Sequence, residues 1–119
     1  MHLVPAEQAA GRRIIDPEKV CEAIGGLGDP ARVTAWAQRF ALLADPTRLR
    51  LLLAISAAGP ISVSDLAVAA NLSDVTTSQT LRYLRASGTV TTQRDGRIIR
   101  YQLHDPAISE LLDQVAPPH

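Results

Sequence analysis

Several side chains on which common protein chemistries depend are scarce in this sequence. A single cysteine, Cys21, cannot form an internal disulfide bond, which fits a reducing compartment. Only one of the twelve cationic residues is a lysine, and the aromatic residues are one Trp, one Phe and two Tyr. The core must therefore be filled mainly by Leu, Val, Ile and Ala.

Longer patterns are also missing, and their absence argues against whole classes of protein. No apolar run approaches the roughly 18 residues that a membrane span needs, and the N-terminus has no signal-peptide core. We therefore expect a cytoplasmic protein. The chain has no catalytic triad, no Gly-rich phosphate loop and no ligand set for a metal-bound water, so an enzyme is the least favoured class.

The composition is that of a folded chain. With 119 residues and 46% hydrophobic side chains, the chain has the length of one domain with a modest core. The net charge is zero and the pI is about 6.8. These values argue against a generally basic coat protein, but they allow a focused basic surface. Because eleven of the cations are Arg, bidentate contacts with phosphate or guanine are favoured if these residues meet nucleic acid.

Asp-Pro pairs predict where four helices begin. Asp is a good N-cap and Pro is favoured at the first helical position, so each pair marks a start. The pairs are Asp16-Pro17, Asp29-Pro30, Asp45-Pro46 and Asp105-Pro106. The predicted helices run from 17 to about 24, from 30 to 44, from 46 to about 57, and from 106 to the Pro117-Pro118 pair. Residues 1–11 are expected to be a mobile arm, in which His2 is incidental.

The second of these helices has a stripe of apolar residues at helical spacing, which indicates a core or dimer contact. The stripe consists of Val33, Trp36, Ala37, Phe40, Leu43 and Ala44. We expect Trp36 and Phe40 to be buried in a two-fold contact made with the last helix, or in the core beneath it. Leu42 is the one large apolar residue of this helix that lies off the stripe.

Residues 62–88 contain the signals of two short helices joined by a tight turn. Ser62 and Ser73 can cap the two helices, and Asn71 is a suitable left-handed terminator for the first. Gly88 stands where a glycine commonly follows a helix, at the end of the second.

The second helix of this pair has two distinct faces. Three residues share the inward face: Thr77, Leu81 and Leu84. Four polar residues are left largely outward: Thr76, Ser78, Gln79 and Arg82. Short donors and acceptors beside an Arg suit base edges and phosphates in a major groove, although an ordinary solvated helix face would look similar.

A β-hairpin, which we call the wing, is predicted at residues 89–103. Asp95-Gly96 lies between two β-rich runs and favours a type I′ turn, in which both central residues have positive φ. Arg94 and Arg97 flank this turn and make its tip basic. The predicted fold is a winged helix-turn-helix, mainly α with a small β-hairpin, in the order α-α-α-α-α-β-β-α. It forms a single domain over residues 1–119, with an arm and extra helix at 1–28.

The local charge of this region indicates its function class. Residues 73–103 hold five Arg and two Asp, a local charge of +3. Beside a helix pair and a wing, this charge favours DNA binding, with Arg94 and Arg97 on phosphates. The alternative is a winged-helix protein-interaction domain without sequence-specific DNA binding.

Four motifs, in order, resemble the ArsR/SmtB (arsenic-repressor-type) family. They are DPTRLRLL at 45–52, DLA at 65–67, SQTLRYLRASG at 78–88, and DGR followed by RYQL within 95–103. The resemblance covers residues 36–112 and implies a homodimeric repressor that leaves its operator DNA when a metal ion or other inducer binds. It places Ser78 and Gln79 on the helix that reads DNA, with Thr80 where many members have His. The extra helix is most similar to the cadmium/lead-sensing branch.

Neither of the two best-known metal sites of that family is complete in this chain. The cadmium/lead branch has a Cys-x-Cys where Ser62 and Ser64 stand, and Ser does not replace thiolate for a soft ion. Ala10 and Ile14 occupy its arm positions. The zinc, nickel and cobalt branch has an Asp-x-His in which Asp105 matches but Ala107 replaces the His.

A divalent metal inducer would therefore need other ligands. The candidates are Cys21, His104, Asp105 and His119, shared across a dimer. Cys21 can equally be a small core residue, and an organic inducer is the alternative to a metal.

Overall fold

The computed structural model describes residues 4–118, which contain seven helices and three strands. In chain order they are α1 (Ala6–Ala9), α2 (Pro17–Leu27), α3 (Pro30–Leu43), α4 (Pro46–Ala58), β1 (Ile61–Ser62), α5 (Val63–Ala70), α6 (Asp74–Ala86), β2 (Val90–Asp95), β3 (Ile98–Leu103) and α7 (Pro106–Val115). The mainly α architecture with an antiparallel hairpin confirms the predicted fold class. Two short elements, α1 and β1, were not predicted. Within 4–118, no helix is long and apolar enough to cross a membrane.

Side-chain caps explain where five of the helices begin. Asp29, Asp45, Ser62, Ser73 and Asp105 each accept a hydrogen bond from a backbone N–H in the first turn of the helix that follows. The first N–H groups of a helix have no partner within it, so each cap stabilises its helix by about 1 kcal/mol. Asp16 stands in the same position before α2 but makes no such bond.

The chain divides into two compact units, Met1–Gln38 and Arg39–His119. In the first unit, neither α1 nor α2 contains a buried residue. Helix α1 lies within residues 1–11, the segment predicted to be a mobile arm, and the sequence shows no firm helical period there.

Helix α2 is longer than its sequence predicts. It continues through Gly25 and Gly26, where it was expected to stop, and ends at Leu27. The residue that ends it is Gly28, whose φ is 69°. A positive φ has no steric cost for glycine and breaks the helical path of the backbone. Gly28 therefore ends the helix, whereas Gly25 and Gly26 keep a helical conformation.

The hydrophobic core lies in the second unit. Helices α3 to α7 and the wing strands contribute to it. Its most fully buried side chains are Leu51, Leu52, Ile55, Leu66, Leu81, Leu84, Ile108, Leu112 and Thr77. Aliphatic packing thus supplies the core, as the scarcity of aromatic residues predicts, and each buried Leu or Ile contributes about 1.5–3 kcal/mol.

The buried residue of helix α3 is one that lies off its apolar stripe. Leu42 is the buried residue of this helix, 6% exposed, and it belongs to the core cluster. On the stripe, Val33 and Phe40 are 52% and 55% exposed, Trp36 is half-buried, and Leu43 packs partly against the core. Burial of Phe40 in the core of a single protomer is therefore a wrong prediction, whereas its burial in a two-fold contact stays a prediction.

The three strands form one antiparallel sheet in the order β1-β3-β2. Val90 pairs with Leu103 at the base of the wing. Strand β1 adds Ile61 opposite Tyr101 on the other edge of β3. With two residues, β1 is too short to show the alternation that reveals a strand in a sequence, and it forms because β3 offers an unpaired edge.

The tip of the wing contains a different turn from the predicted one. Because Asp95 pairs with Ile98, the two loop residues are Gly96 and Arg97. Gly96 has a φ of 62°, whereas Asp95 and Arg97 are not among the residues with positive φ. Positive φ at the first loop residue alone is the pattern of a type II′ turn, so the type I′ prediction is wrong. The shift of one residue places Arg97 inside the turn.

Candidate nucleic-acid interface

Helix α6 is fixed in place by its inward face. Thr77, Leu81 and Leu84 are buried, as their spacing predicts. The Thr77 hydroxyl donates to the Ser73 carbonyl at 2.9 Å, which satisfies this buried polar group. The Thr76 amide donates to Ser73 Oγ at 3.0 Å and closes the cap of the helix. This support holds the opposite face in a defined position.

The outward face of α6 borders a shallow depression of about 300 Å³. Its lining residues are Asp74, Val75, Ser78, Gln79 and Arg82. They recur at the three- and four-residue intervals that place side chains on one side of a helix. Three of the predicted DNA-contact residues, Ser78, Gln79 and Arg82, are thus brought together. An amide, a hydroxyl and a guanidinium in this arrangement suit base edges and phosphates.

Thr76, the fourth predicted contact on this helix, is exposed but does not line the depression. Its hydroxyl accepts a hydrogen bond from Ser73 Oγ at 3.0 Å and so takes part in the cap. Val75 lies in the depression instead, and sequence reasoning missed it. The signal that could have found it is its spacing of three and four residues from Ser78 and Gln79.

A second depression, of about 220 Å³, lies on the other side of Gln79. Its lining residues are Asp45, Arg48, Gln79, Thr80 and Tyr83. The Thr80 hydroxyl donates to the Thr76 carbonyl at 2.8 Å, so it is satisfied within the helix. Gln79 therefore stands exposed between two concave surfaces. Arg48 and Tyr83 were also missed, because their proximity depends on how α4 and α6 pack.

The arginines of the wing differ in how they are engaged. Arg100 pairs with Asp95, with Nη1 and Oδ2 2.6 Å apart, which reduces the charge that both present to a partner. Arg94 Nε donates to the Gly96 carbonyl at 3.2 Å and thereby braces the turn. Arg97 is exposed within the turn itself. The two predicted phosphate contacts, Arg94 and Arg97, are therefore both exposed at the tip of the wing.

A cleft of about 510 Å³ separates the start of α5 from the wing. Its lining residues are Ser62, Val63, Ser64, Asp65, Arg97, Ile98, Ile99 and Arg100. Ser62 Oγ accepts from the Asp65 amide at 3.2 Å, so it acts as a helix cap. Positions 62 and 64 thus present hydroxyl groups to the cleft, and hydroxyls are poor ligands for a soft metal ion.

The candidate metal ligands lie in different parts of the chain. Cys21 is half-buried in α2, in the first unit. His104 is exposed in the second unit, where its backbone N–H donates to the Thr89 carbonyl at 2.9 Å. His119 and His2 lie outside the described residues. Within 4–118, no group of three His, Cys, Asp or Glu residues could hold a metal ion.

Asp105 is held by two partners. Its Oδ1 accepts from the Ala107 amide at 3.0 Å and its Oδ2 from Arg39 Nε at 3.0 Å. Partial burial acts to raise the pKa of this carboxyl, but the bonds from Arg39 and Ala107 outweigh it and hold the pKa below its ordinary value. Ala107 stands where the resemblance to the ArsR/SmtB family would place a His ligand. Its backbone N–H donates to the Asp105 carboxylate.

Comparison with known proteins agrees with this geometry. A family model described as the MarR family matches residues 45–98, from the start of α4 to the turn of the wing. The regulator NmtR of Mycobacterium tuberculosis is 42% identical over 72 residues, which are 60% of this chain and 59% of that protein. The chain thus spans less than two thirds of that relative. The arsenical resistance operon repressor of Escherichia coli is 36% identical over 80 residues, 65% of this chain and 68% of the repressor.

The chain belongs to the ArsR/SmtB family of winged-helix transcriptional repressors. Among solved structures, the AntR antimony-specific transcriptional repressor superimposes with a TM-score of 0.68 at 27% identity, covering 91% of this chain and 86% of that one. The ArsR/SmtB family consists of transcriptional regulators and not of enzymes, as the sequence predicts. The resemblance on which the prediction rested is confirmed.

Proposed function

We propose that this ArsR/SmtB protein is a homodimeric repressor that binds operator DNA and releases it when an inducer binds. The observation that carries the proposal is the outward face of α6, where Ser78, Gln79 and Arg82 border one depression. A groove-facing Gln can pair bidentately with adenine, and an Arg can pair with guanine or phosphate. Such a protein acts in the cytoplasm, as the sequence predicts.

The wing extends the proposed contact beyond the major groove. Arg94 and Arg97 are exposed at its tip and would meet phosphates beside the groove. Since Arg100 is paired with Asp95, we assign it to holding the wing rather than to DNA. Phosphate contacts supply affinity without sequence preference, so the wing and α6 have separable roles.

The dimer is supported by the surface of α3. Val33 and Phe40 remain more than half exposed on the apolar stripe of a single protomer. Val115, near the end of α7, is also more than half exposed. Large exposed apolar side chains are common at contacts between subunits, so we assign α3 and α7 to the two-fold contact. Pairing sets the spacing of two α6 helices over two half-sites.

The inducer is proposed to be either a metal ion or an organic molecule. The names of two similar proteins refer to arsenical resistance and to antimony, which favours a metal or metalloid. Because Ser62 and Ser64 lack thiolates, the ligands would have to come from Cys21, His104, Asp105 and His119, shared between protomers. Asp105 would have to leave its ion pair with Arg39 to take part.

Two substitutions test the DNA contact. Duplexes enriched by the protein from a random pool serve as probes, and affinities are measured by fluorescence anisotropy across a salt series. Gln79→Ala should relax preference at one base pair at a cost of about 1–3 kcal/mol. Arg97→Ala should weaken binding to all duplexes alike. It should also reduce the slope of log affinity against log salt concentration by about one. Arg85→Ala, at an exposed Arg of α6 outside both depressions, is the matched control.

Two results would contradict this docking. Sequence selectivity lost in Arg97→Ala but kept in Gln79→Ala would reverse the assigned roles. Absence of any enriched duplex, with a stable fold, would favour a winged-helix protein-interaction domain.

For the inducer, Cys21→Ser is compared with the unaltered protein in a DNA-release assay with arsenite, antimonite, cadmium and zinc. Release that requires Cys21 places a thiolate in the sensing site, whereas unchanged release excludes it.

A further inference from the structure

Val75 is an apolar residue in the middle of a polar face. It is the second residue of α6 and is 66% exposed. It lies one helical turn before Ser78 and Gln79 and lines the same depression as both. The other four lining residues, Asp74, Ser78, Gln79 and Arg82, end in a carboxylate, a hydroxyl, an amide and a guanidinium. Besides Val75, only the stems of their side chains are apolar.

Folding does not explain a valine at this position. The residues that α6 buries are Thr77, Leu81 and Leu84, on the opposite side. Valine is a weaker helix former than Ala, Glu or Gln, because its branched side chain loses rotamer freedom against the preceding turn. A polar residue would serve the first turn of a solvent-exposed helix at least as well. An apolar side chain here would gain free energy by meeting another apolar group.

The floor of the major groove offers one apolar group, the 5-methyl group of thymine. Residues near the start of a recognition helix are those that reach base edges. We propose that Val75 contacts the methyl group of a thymine in each operator half-site and selects thymine at that position. This inference rests on the proposed function, since the contact exists only if α6 enters the major groove.

The test removes that methyl group from the DNA. In a duplex enriched by the unaltered protein, each thymine is replaced in turn by deoxyuridine, which keeps every hydrogen-bonding group. Burial of one methyl group corresponds to about a fourfold change in affinity. We expect one thymine per half-site at which the unaltered protein binds deoxyuridine about fourfold more weakly.

Val75→Ala should abolish this difference, so that thymine and deoxyuridine bind equally well. Val68→Ala makes the same chemical change at a valine of α5 that is 82% exposed and lines neither the cleft nor the two depressions. This variant should keep the difference between thymine and deoxyuridine. The inference is overturned if no thymine is sensitive, or if Val75→Ala keeps the full penalty. Failure of the proposed function differs from both, because no duplex would then be enriched at all.

Discussion

The guanidinium of Arg48 lies over the ring of Tyr83, with 4.8 Å between its central carbon and the ring centre. The same guanidinium donates to the carbonyls of Leu42 at 2.9 Å and Ala41 at 3.1 Å. The last carbonyls of a helix have no partner within it, so Arg48 satisfies two end groups of α3. One side chain thereby joins the end of α3 to the exposed side of α6, the helix that carries Gln79.

Replacing Arg48 should disturb both stability and DNA recognition. Arg48→Met keeps most of the apolar stem but removes the two hydrogen bonds and the contact between the cation and the ring. We expect a loss of about 1–3 kcal/mol in the free energy of unfolding, measured with urea. Affinity for the enriched duplex should fall as well, because α6 loses a restraint.

Tyr83 provides the matched pair of variants for this contact. Tyr83→Phe keeps the ring and should behave like the unaltered protein, whereas Tyr83→Leu should resemble Arg48→Met in DNA affinity. Combining Arg48→Met with Tyr83→Leu should cost less than the sum of the two single effects. Fully additive effects would show that the contact does not position α6.

The pH dependence of stability should report the ion pair between Arg39 and Asp105. The folded protein holds the pKa of Asp105 below its ordinary value of 3.8. A depressed pKa gives stability that is present above the pKa of the unfolded chain and is lost as pH falls through the folded pKa. The contribution should therefore be constant at neutral pH and decline only below about pH 4.

Asp105→Asn isolates the charge, because Asn can still cap α7. At pH 7 the variant should be less stable by about 1 kcal/mol, the scale of a partly exposed pair. Urea midpoints measured from pH 7 to pH 3 should converge for the two proteins as the carboxylate is protonated. Curves that stay parallel down to pH 3 would mean that Asp105 contributes no charge-dependent stability.

Local chemistry made much of this fold predictable. The caps at Asp45, Ser62, Ser73 and Asp105 depend on residues within three positions, so the sequence contains the whole interaction. The burial of Leu42 and the pairing of Ile61 with Tyr101 depend on segments distant in the sequence. The same distinction separates the predicted site residues of α6 from the missed Arg48, whose role requires the packing of α4 against α6.

Gly59 is predicted to resist substitution for a steric reason. A Cβ atom built there would lie 2.6 Å from the Ile55 carbonyl oxygen and 3.3 Å from that of Tyr101. Both neighbours are backbone atoms and cannot rotate away, so the end of α4 would have to shift. We expect Gly59→Ala to lower the free energy of unfolding by about 1–3 kcal/mol.

Gly25→Ala is the control for this substitution. Nothing lies within 4 Å of a Cβ built at Gly25, which is inside α2. Alanine should stabilise that helix by about 0.5–1 kcal/mol, because it restricts the unfolded chain more than glycine does. Melting followed by circular dichroism should show opposite effects of the two variants. A Gly59→Ala protein that melts no lower than the parent would disprove the steric argument.

Phe40 and Leu42 are close in sequence on α3 but should differ in what their truncation does. Leu42 is buried in the core of a protomer, whereas Phe40 is 55% exposed there. Leu42→Ala should lower the free energy of unfolding by about 2–5 kcal/mol at every protein concentration. The cost of Phe40→Ala should appear mainly through the dimer contact that we assign to the stripe, because that contact would bury the ring.

The two variants are separated by the concentration dependence of melting. Stability that includes association rises with protein concentration, so the melting temperature of the parent should do so too. Phe40→Ala should reduce this dependence and weaken the dimer in sedimentation experiments. It should also weaken DNA binding although α6 is unchanged, because two half-sites are held together only by a paired protein. Leu42→Ala should lower the melting temperature but keep its dependence on concentration. Normal dimerisation and DNA binding by Phe40→Ala would show that the stripe is not the subunit contact.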